Sequence, residues 1–538
     1  EGELTMAESM RDILEALAPR LAPQRLPGVL AGTSGRGALA RFLAAFAAER
    51  DARDQGQAFL AHNRRRLEWT TAKLGAEAAE FLHLLPQLLA LPAKPGPDGF
   101  APGPACPVRD YAPDHTAAAI LAKRLPEPPA ADPAGLSVPV DGLYTIGSVG
   151  TVAQGKGSDL DFWVCVAPGL PGTDLAAVQA KLAAIEAYAD RTFGLEVHFF
   201  LMDLDAVRSN NFGASDQESA GSTQAKLLKE EFYRTVMRLA GGLPAWWFAP
   251  AGAGEEAYAA CLAGLARGAA AGLPVSDLGH LGAIGREEFF GASLWQIVKA
   301  LKKPFKSVMK FAILDVYFAA GASPVLLCDR IKERLAAGSH DLWDVDAYAV
   351  LFREVFEHYR AAERKNAASL MRMAFLQKTG YSAAARTSGR PQELAGASYL
   401  EFFYPVTGHP MEAAVSPAAG DARADERGVF ARHMETGTMV SNFMFKTYES
   451  VMQRVRAMDM ESAVSEEDRT KLGRKIVAHF GQKPGKVART HFVDPPGGLF
   501  AALEFLCVGF PGTPMTWIVR GAAQTVEERK AEPEELAR

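Results

Sequence analysis

Cysteine is scarce in this chain: five thiols in 538 residues, Cys106, Cys165, Cys261, Cys328 and Cys507, dispersed and without one Cys-x-x-Cys pair. An odd, scattered set excludes both a structural zinc site of the usual spacing and a secreted disulfide framework. It reads as a cytoplasmic protein in a reducing compartment. No run approaches the roughly 20 apolar residues that a membrane span needs; the most apolar early stretch, 81–93, is broken by His83, Pro86 and Pro92. The opening Glu1-Gly2-Glu3 is acidic, unlike the basic start of an export signal. Neither sign of charge dominates. With 58 Lys and Arg against 63 Asp and Glu the net charge is −5, so nothing draws the whole molecule to nucleic acid or anionic lipid. A basic surface with interleaved aromatics, the footprint of a nucleic-acid binder, is also missing. Any polyanion site is therefore local. What is present is an ordinary globular composition, 48% hydrophobic and 22% charged, in a length suited to about three domains.

Apolar residues recur at helical spacing over 6–91, for instance in 38–48 and 58–74. Six prolines between Pro92 and Pro107 then predict a linker or irregular excursion. A short helix over 116–124 and a second Pro-rich stretch, 126–133, follow. From Leu136 the texture changes. Segments 138–146, 160–166 and 195–202 read as strands rich in β-branched and aromatic residues, with an Ala-rich helix over 174–193 between the last two. A polar loop, 209–221, leads into a helix predicted over 222–240. Beyond Gly272 the chain reads as helical up to Phe492, then as a strand pair near 503–508 and 515–519, then as a charged, frayed tail from Ala522. The expected fold class is α+β: a mixed β-sheet core over 131–272, an N-terminal helical region over 1–130, a helical domain over 273–485, and a short C-terminal strand pair and tail over 486–538.

The chemistry concentrates in Leu143-Tyr144-Thr145-Ile146-Gly147-Ser148 and, ten residues on, Asp159-Leu160-Asp161-Phe162-Trp163-Val164. Side chains alternate along a strand, so Asp159 and Asp161 share a face while Leu160 and Phe162 turn to the core. Two carboxylates held together repel unless cations lie between them, and an oxygen-rich pair suits a hard ion such as Mg2+. The Gly-Ser turn ahead can offer backbone N–H groups and a hydroxyl to a phosphate. Asp-x-Asp alone says little: Asp203-Leu204-Asp205 and Asp344-Val345-Asp346 have the same form and read as turns or helix caps. Context singles out the first pair. Gly150 to Lys156 imitates a P-loop until Gly157 replaces the Ser or Thr that would hold Mg2+, and a strand rather than a long helix follows. The P-loop is rejected. A third carboxylate is expected from the next strand, where Glu196 sits between apolar neighbours, with Asp203 as the alternative. His198 shares the face of Glu196 and reads as its polar neighbour.

Gly147-Ser148 followed by Ser158-Asp159-Leu160-Asp161-Phe162-Trp163-Val164 resembles the signature of the nucleotidyltransferase superfamily, with its DNA polymerase β-like fold, and in detail the class I adenylate cyclases. Residues 194–203, Gly221-Ser222-Thr223-Gln224, Glu231-Phe232-Tyr233-Arg234-Thr235, the block from Glu288 to Gln296 and the block from Pro304 to Lys310 resemble that family too. The likeness is strong over 136–330 and weaker on either side. It implies a nucleotidyltransferase-type sheet and the conversion of ATP to 3′,5′-cyclic AMP and pyrophosphate, assisted by two Mg2+ (or Mn2+) ions about 3.5–4 Å apart. On that resemblance Asp159, Asp161 and Glu196 hold the metal, and Glu196 takes the proton of the 3′-hydroxyl. Gly147, Ser148 and Ser158 hold phosphates, and Lys306, Lys310 and Arg234 complete the cradle. Trp295 stacks on adenine, or else belongs to the core. Pro304 starts a new helix, which groups Lys306 with Lys310 and leaves Lys299 and Lys302 nearer a solvated face. Lys226 is a lesser candidate, and Arg64-Arg65-Arg66 reads as a solvated helix face. ATP is the one partner expected, with no nucleic acid, no membrane span and no regulatory protein that the residues identify. The alternatives are a nucleotidyltransferase serving another acceptor and a non-catalytic nucleotide-binding protein.

Overall fold

The computed structural model describes residues 35–96, 99–125, 135–155, 158–212, 225–270, 272–300, 304–321, 324–379, 426–457, 466–480, 503–508, 516–521 and 524–530. The helical reading of 6–34, the Pro-rich stretch 126–133 and the P-loop-like Lys156 and Gly157 lie outside these residues. The N-terminal helices are α1 (Gly35–Lys73) and α2 (Ala76–Ala90). The proline-rich stretch after them is not irregular. Its residues form a small antiparallel hairpin, β1 (Ala93–Gly96) and β2 (Gly99–Pro102), since a two-stranded ribbon leaves edges at which a proline need not donate. Helix α3 (His115–Arg124) follows, its N-terminus capped by Asp114, which accepts from Ala117 N at 2.7 Å.

Four strands build the central sheet: β3 (Val140–Ile146), β4 (Leu160–Val166), β5 (Val197–Asp203) and β6 (Met237–Gly241), in the order β5-β4-β3-β6. β4 and β5 are parallel, and β3 runs antiparallel to both β4 and β6. A parallel pair needs a long crossover, supplied by α4 (Gly172–Phe193), which Gly194 closes in the left-handed conformation at φ 63°. Alternation along β4 sends Leu160, Phe162, Val164 and Val166 to one buried face, and Trp163 and Cys165 to the other. The first face is covered by α2 and α4. On the second, Trp163 stacks on Phe232 of α6 (Ala225–Thr235), with ring centroids 4.1 Å apart. The sheet is buried on both sides, so a carboxylate on β4 has room only where that apolar filling ends.

The helix expected over 222–240 stops at Thr235, and Met237–Gly241 is the edge strand β6. A short apolar run satisfies either period; what decides is distant pairing. β3 takes one side of β6. On the other, the Asn63 side chain of α1 accepts from Arg238 N at 2.7 Å and donates to Arg238 O at 2.9 Å, acting as one rung of a missing strand. Apart from a short parallel pairing of 243–244 with 275–276, most of the other described residues up to Phe480 are helical: α5 (Leu204–Arg208), α7 (Glu255–Gly264), α8 (Arg286–Ala300), α9 (Pro304–Ala319), α10 (Leu327–Ala336), α11 (Ala347–Ala361), α12 (Lys365–Thr379), α13 (Glu426–Ala457) and α14 (Glu466–Phe480). Pro304 does open a helix. Fully buried Asp315 of α9 accepts from Tyr359 Oη of α11 at 3.1 Å and from Arg454 Nη1 of α13 at 2.9 Å, tying three helices together. Among the described residues the C-terminal strands number three: β7 (Leu503–Val508), β8 (Thr516–Gly521) and β9 (Gln524–Lys530), with β8 in the middle. The charged tail that read as frayed thus contains an edge strand, a place where charge is normal.

Helices α6 and α8 are pinned by Glu288, whose carboxylate accepts from Leu227 N at 2.8 Å. Burial pushes this carboxyl up to about 7, against the backbone donors that favour its charged form. The folded pKa lies above the ordinary carboxyl value of 4.5, so the stabilisation from a neutral Glu288 is present below that value and is lost as pH rises through about 7. Glu288→Gln keeps the acceptor without the charge. It is expected to raise the melting temperature at pH 8 more than at pH 5; an equal effect at both in thermal unfolding would contradict the assignment.

Candidate active site

β3 ends at Ile146, and the chain turns at Gly147 with φ of +96°, a conformation that favours glycine. A side chain there would come within 3.9 Å of Asp161 Oδ2. The turn is held from several directions. Gly147 N donates to Thr235 Oγ1 at 3.0 Å, Ser148 Oγ bonds Ser158 Oγ at 3.3 Å, and Ser158 Oγ also accepts from Gly155 N at 2.9 Å. Further along, Asp346 Oδ2 accepts from Val152 N at 2.9 Å while its other oxygen caps α11. Asp203 likewise caps α5 through Ala206 N. Both of the other Asp-x-Asp pairs thus contain caps, as their form suggests.

The solvated reading of Arg64-Arg65-Arg66 fails for Arg66. Consecutive helical residues are about 100° apart, so three in a row span roughly 200° of the helix surface and the last can turn inward. Arg66 is 7% exposed. Its Nε donates to Gly150 O at 2.7 Å, its Nη1 to Val236 O at 2.5 Å, and its Nη2 to Thr235 O at 2.7 Å and Val149 O at 3.3 Å.

A cavity of about 600 Å³ opens beside this turn, a size suited to a nucleotide. One wall comes from the sheet and its turn: Gly147, Ser148, Ser158, Asp159 and Asp161 all reach it. The other comes from helices, with Arg234 of α6, Trp295 and Lys299 of α8, Lys310 of α9 and Lys378 of α12. Lys299 Nζ lies 5.3 Å from the centroid of the half-buried Trp295 ring, so Trp295 is wall rather than core. Sequence reasoning missed two acids here. Glu231 receives Lys310 Nζ at 2.6 Å, and buried Glu230 pairs with Arg234 Nε at 3.2 Å. Burial alone would raise both carboxyls. For Glu231 the Lys310 and Arg234 charges prevail and bring it down to about 2; for Glu230 burial prevails and its pKa is raised. A Glu three or four residues ahead of an Arg in a helix is a visible signal, but the partner of Glu231 on α9 is 79 residues away.

Other expected groups fall elsewhere. Glu196 precedes β5, is 70% exposed and bonds His198 Nε2 at 3.3 Å. The residue that β5 sets opposite Asp161 and into the cavity wall is His198. Partial burial works against a charged His198, but the Glu196 hydrogen bond and the charges of Asp161, Glu186 and Glu196 outweigh it and raise its pKa. Asp203 stands opposite Val166, at the far end of the strand pair from Asp161. It is therefore a cap and not the third carboxylate. Lys226 donates to Ala283 O at 2.8 Å. Lys306 lies in the first turn of α9, with its side chain outside the described residues, as are Lys302 and Lys303.

Among the described residues no three His, Cys, Asp or Glu side chains converge as a ready cage. A hard cation such as Mg2+ is commonly bound by one or two carboxylates plus substrate phosphates. Asp159 and Asp161, with the Ser148 and Ser158 hydroxyls nearby, are a hard-oxygen set of that kind. Among the described residues no helix is long and apolar enough to cross a membrane.

Two family models match the chain: "Adenylate cyclase NT domain" over residues 52–247, and "Adenylate cyclase, class-I, second domain" over 284–404. This chain belongs to the class-I adenylate cyclase family. Similar members are the adenylate cyclases of Salmonella typhimurium, 32% identical over 436 residues, and Escherichia coli strain K12, 32% over 435. That of Yersinia pestis is 31% identical over 430 residues. Each alignment covers 79% of this chain and 49% of the relative, so the chain spans about half the length of the curated relatives it matches. No solved structure matches it. Every cavity-lining residue named above falls within the two matched stretches, the sheet wall in the first and Trp295, Lys299, Lys310 and Lys378 in the second.

The geometry of this family member makes one local expectation measurable. Replacing Glu196 by Gln removes the hydrogen-bonded charge that supports a protonated His198, so the His198 pKa should fall toward or below the ordinary imidazole value. Nuclear magnetic resonance titration of the ring reads it directly; an unchanged midpoint would separate the two residues.

Proposed function

We propose that the chain is an adenylate cyclase, converting ATP to 3′,5′-cyclic AMP and pyrophosphate on a nucleotidyltransferase-type sheet. The observation that carries the proposal is the joint placement of Asp159 and Asp161, beside the Gly147-Ser148 turn, in one nucleotide-sized cavity with Arg234, Lys299 and Lys310. Family membership supports it, as do the relatives' names.

Charge accounting favours a metal-complexed nucleotide. Four carboxylates on the cavity wall, Asp159, Asp161, Glu230 and Glu231, stand against four cations, Arg234, Lys299, Lys310 and Lys378. Even with a protonated His198 adding one positive charge, the wall falls well short of balancing a bare nucleoside triphosphate, with about four negative charges, in a partly desolvated site. Two divalent cations, Mg2+ or Mn2+, would restore the balance, with Asp159 and Asp161 as the residues that hold them. Bound there, such ions would lower the pKa of the ribose 3′-hydroxyl and would neutralise charge on the departing pyrophosphate.

The chain's own groups do the rest. Ser148, Ser158 and the Gly147 turn receive the phosphates on the sheet side, while Lys310, Arg234 and Lys306 meet them from the helices. Phosphate oxygens then replace the Glu231 carboxylate as partners of Lys310, an exchange of one anion for another that needs no new desolvation of the lysine. Trp295 offers a ring for the adenine, with Lys299 alongside. Glu196 acts through His198, holding the imidazole at the wall opposite Asp161, where a raised pKa lets it carry a proton. Catalysis on this reading is positioning and charge stabilisation. The acceptor is the nucleotide's own ribose, and neither a nucleic acid nor a second substrate is required. Among the described residues no membrane-spanning helix intervenes, and we place the reaction in the cytoplasm.

The decisive test is product analysis after incubation with ATP and Mg2+. Cyclic AMP and pyrophosphate should form without any added acceptor; linear or acceptor-linked AMP alone would refute the cyclase reading. Asp161→Asn should lower turnover by at least about a hundredfold with helix content and melting intact. Lys310→Ala should raise KM for ATP more than it lowers kcat. Near-normal kinetics in the first variant would remove the metal assignment, and in the second would return Lys310 to a structural role.

A further inference from the structure

We infer that Arg66 is a positioning residue for the reaction: its buried guanidinium fixes the turn that presents Gly147 and Ser148 to the nucleotide, which makes helix α1 part of the catalytic unit. The inference rests on the cyclase reading of the cavity.

Arg66 reaches four carbonyl oxygens in two groups, Val149 and Gly150 just after the Gly147-Ser148 turn, and Thr235 and Val236 where α6 passes into β6. Thr235 closes the circuit, since its hydroxyl receives Gly147 N at 3.0 Å and in turn donates to Glu231 O at 2.7 Å. One side chain from α1 therefore sets the distance between the phosphate-facing turn and the helix that carries Glu230, Glu231 and Arg234.

The bonds also have an electrostatic sense. Carbonyl oxygens carry partial negative charge, and four of them left unpaired in the buried layer behind the turn would be costly. Arg66 gathers them toward itself. Gly150, at φ of +72°, lies so close that a side chain there would meet Met237 Sδ at 2.8 Å and Arg66 Nη2 at 3.2 Å, so the loop passes the guanidinium at a distance that glycine allows. Burying a cation is costly unless its donors are satisfied, and packing alone would be met by an apolar side chain. The planar fork of arginine can serve two carbonyl groups at once, which a lysine ammonium cannot do with the same geometry.

The test uses the full chain with Arg66→Lys and Arg66→Ala, measuring cyclic AMP formation alongside circular dichroism and melting. A displacement of the reacting groups by about 1 Å can cost about a hundredfold in rate. We expect kcat to fall by about 30-fold or more in folded variants, with KM for ATP moving by less than about threefold. Guanidinium ion, kept well below unfolding concentrations, should restore part of the lost turnover to Arg66→Ala and none to Asp161→Asn. A folded variant with turnover within about twofold of the parent overturns the inference, as does a loss confined to KM. If neither variant folds, Arg66 is structural only, and the inference fails likewise. A parent chain that makes no cyclic AMP from ATP sinks the cyclase reading itself, a separate result visible before any variant is made.

Discussion

Like charges forced together at the edge of an apolar interior govern this molecule. Asp159 and Asp161 continue the face of β4 that carries Trp163 and Cys165, and both of those are buried. The carboxylates cannot retreat into the core, and they cannot separate, because alternation along the strand fixes them on one side. The protein answers with a cavity at that point and with cations on the helices opposite. Two of those cations come with an acid: Lys310 with Glu231, Arg234 with Glu230. The pairing keeps charged groups inside the fold at tolerable cost when no ligand is near, and leaves them placed where a triphosphate would take over the acids' role.

The pairs are unequal. Glu230 and Arg234 are both almost fully buried, four residues apart on one helix, and Cys328 N adds a third bond to Glu230 at 3.2 Å. Removing either partner would strand a charge in the interior. Lys310 and Glu231 are each partly exposed and come from different helices. The first pair is fixed framework, from which Arg234 lines the cavity without leaving Glu230, while the second can exchange partners as a substrate arrives and leaves.

How much of this could be read from the sequence follows from how local each feature is. The strand, turn and Asp-x-Asp strand lie within 24 residues, 143–166, and β4 has the boundaries that its composition suggests. Pro304 marks a helix start because proline acts on its own backbone. Most of the misreadings are non-local. β6 is a strand because β3 and Asn63 pair with it, and Asn63 lies 175 residues away. Arg66 looks solvated because its four acceptors are backbone carbonyls of distant residues, which leave no trace in side-chain patterning. Glu196 has the expected strand neighbours, yet β5 begins one residue later, and register gives the cavity position to His198. No periodicity distinguishes these two residues, which share a face by alternation.

The bonds that shape the cavity also say what the working unit is. Thr235 with Gly147, and Arg66 with Val149 and Gly150, act inside the stretch matched by the first family model. Asp346 with Val152, Glu288 with Leu227, and Lys310 with Glu231 each join that stretch to the second. The sheet wall thus takes its shape from one stretch and its opposing charges from the other. Neither makes the cavity alone: the first without the second lacks Lys299, Lys310 and Trp295, and the second without the first has nothing for those side chains to face. Asp315, on the same helix as Lys310, extends the linkage outward to α13 through Arg454. A force on α13 therefore has a covalently short route, five residues of one helix, to the lysine placed to receive the triphosphate.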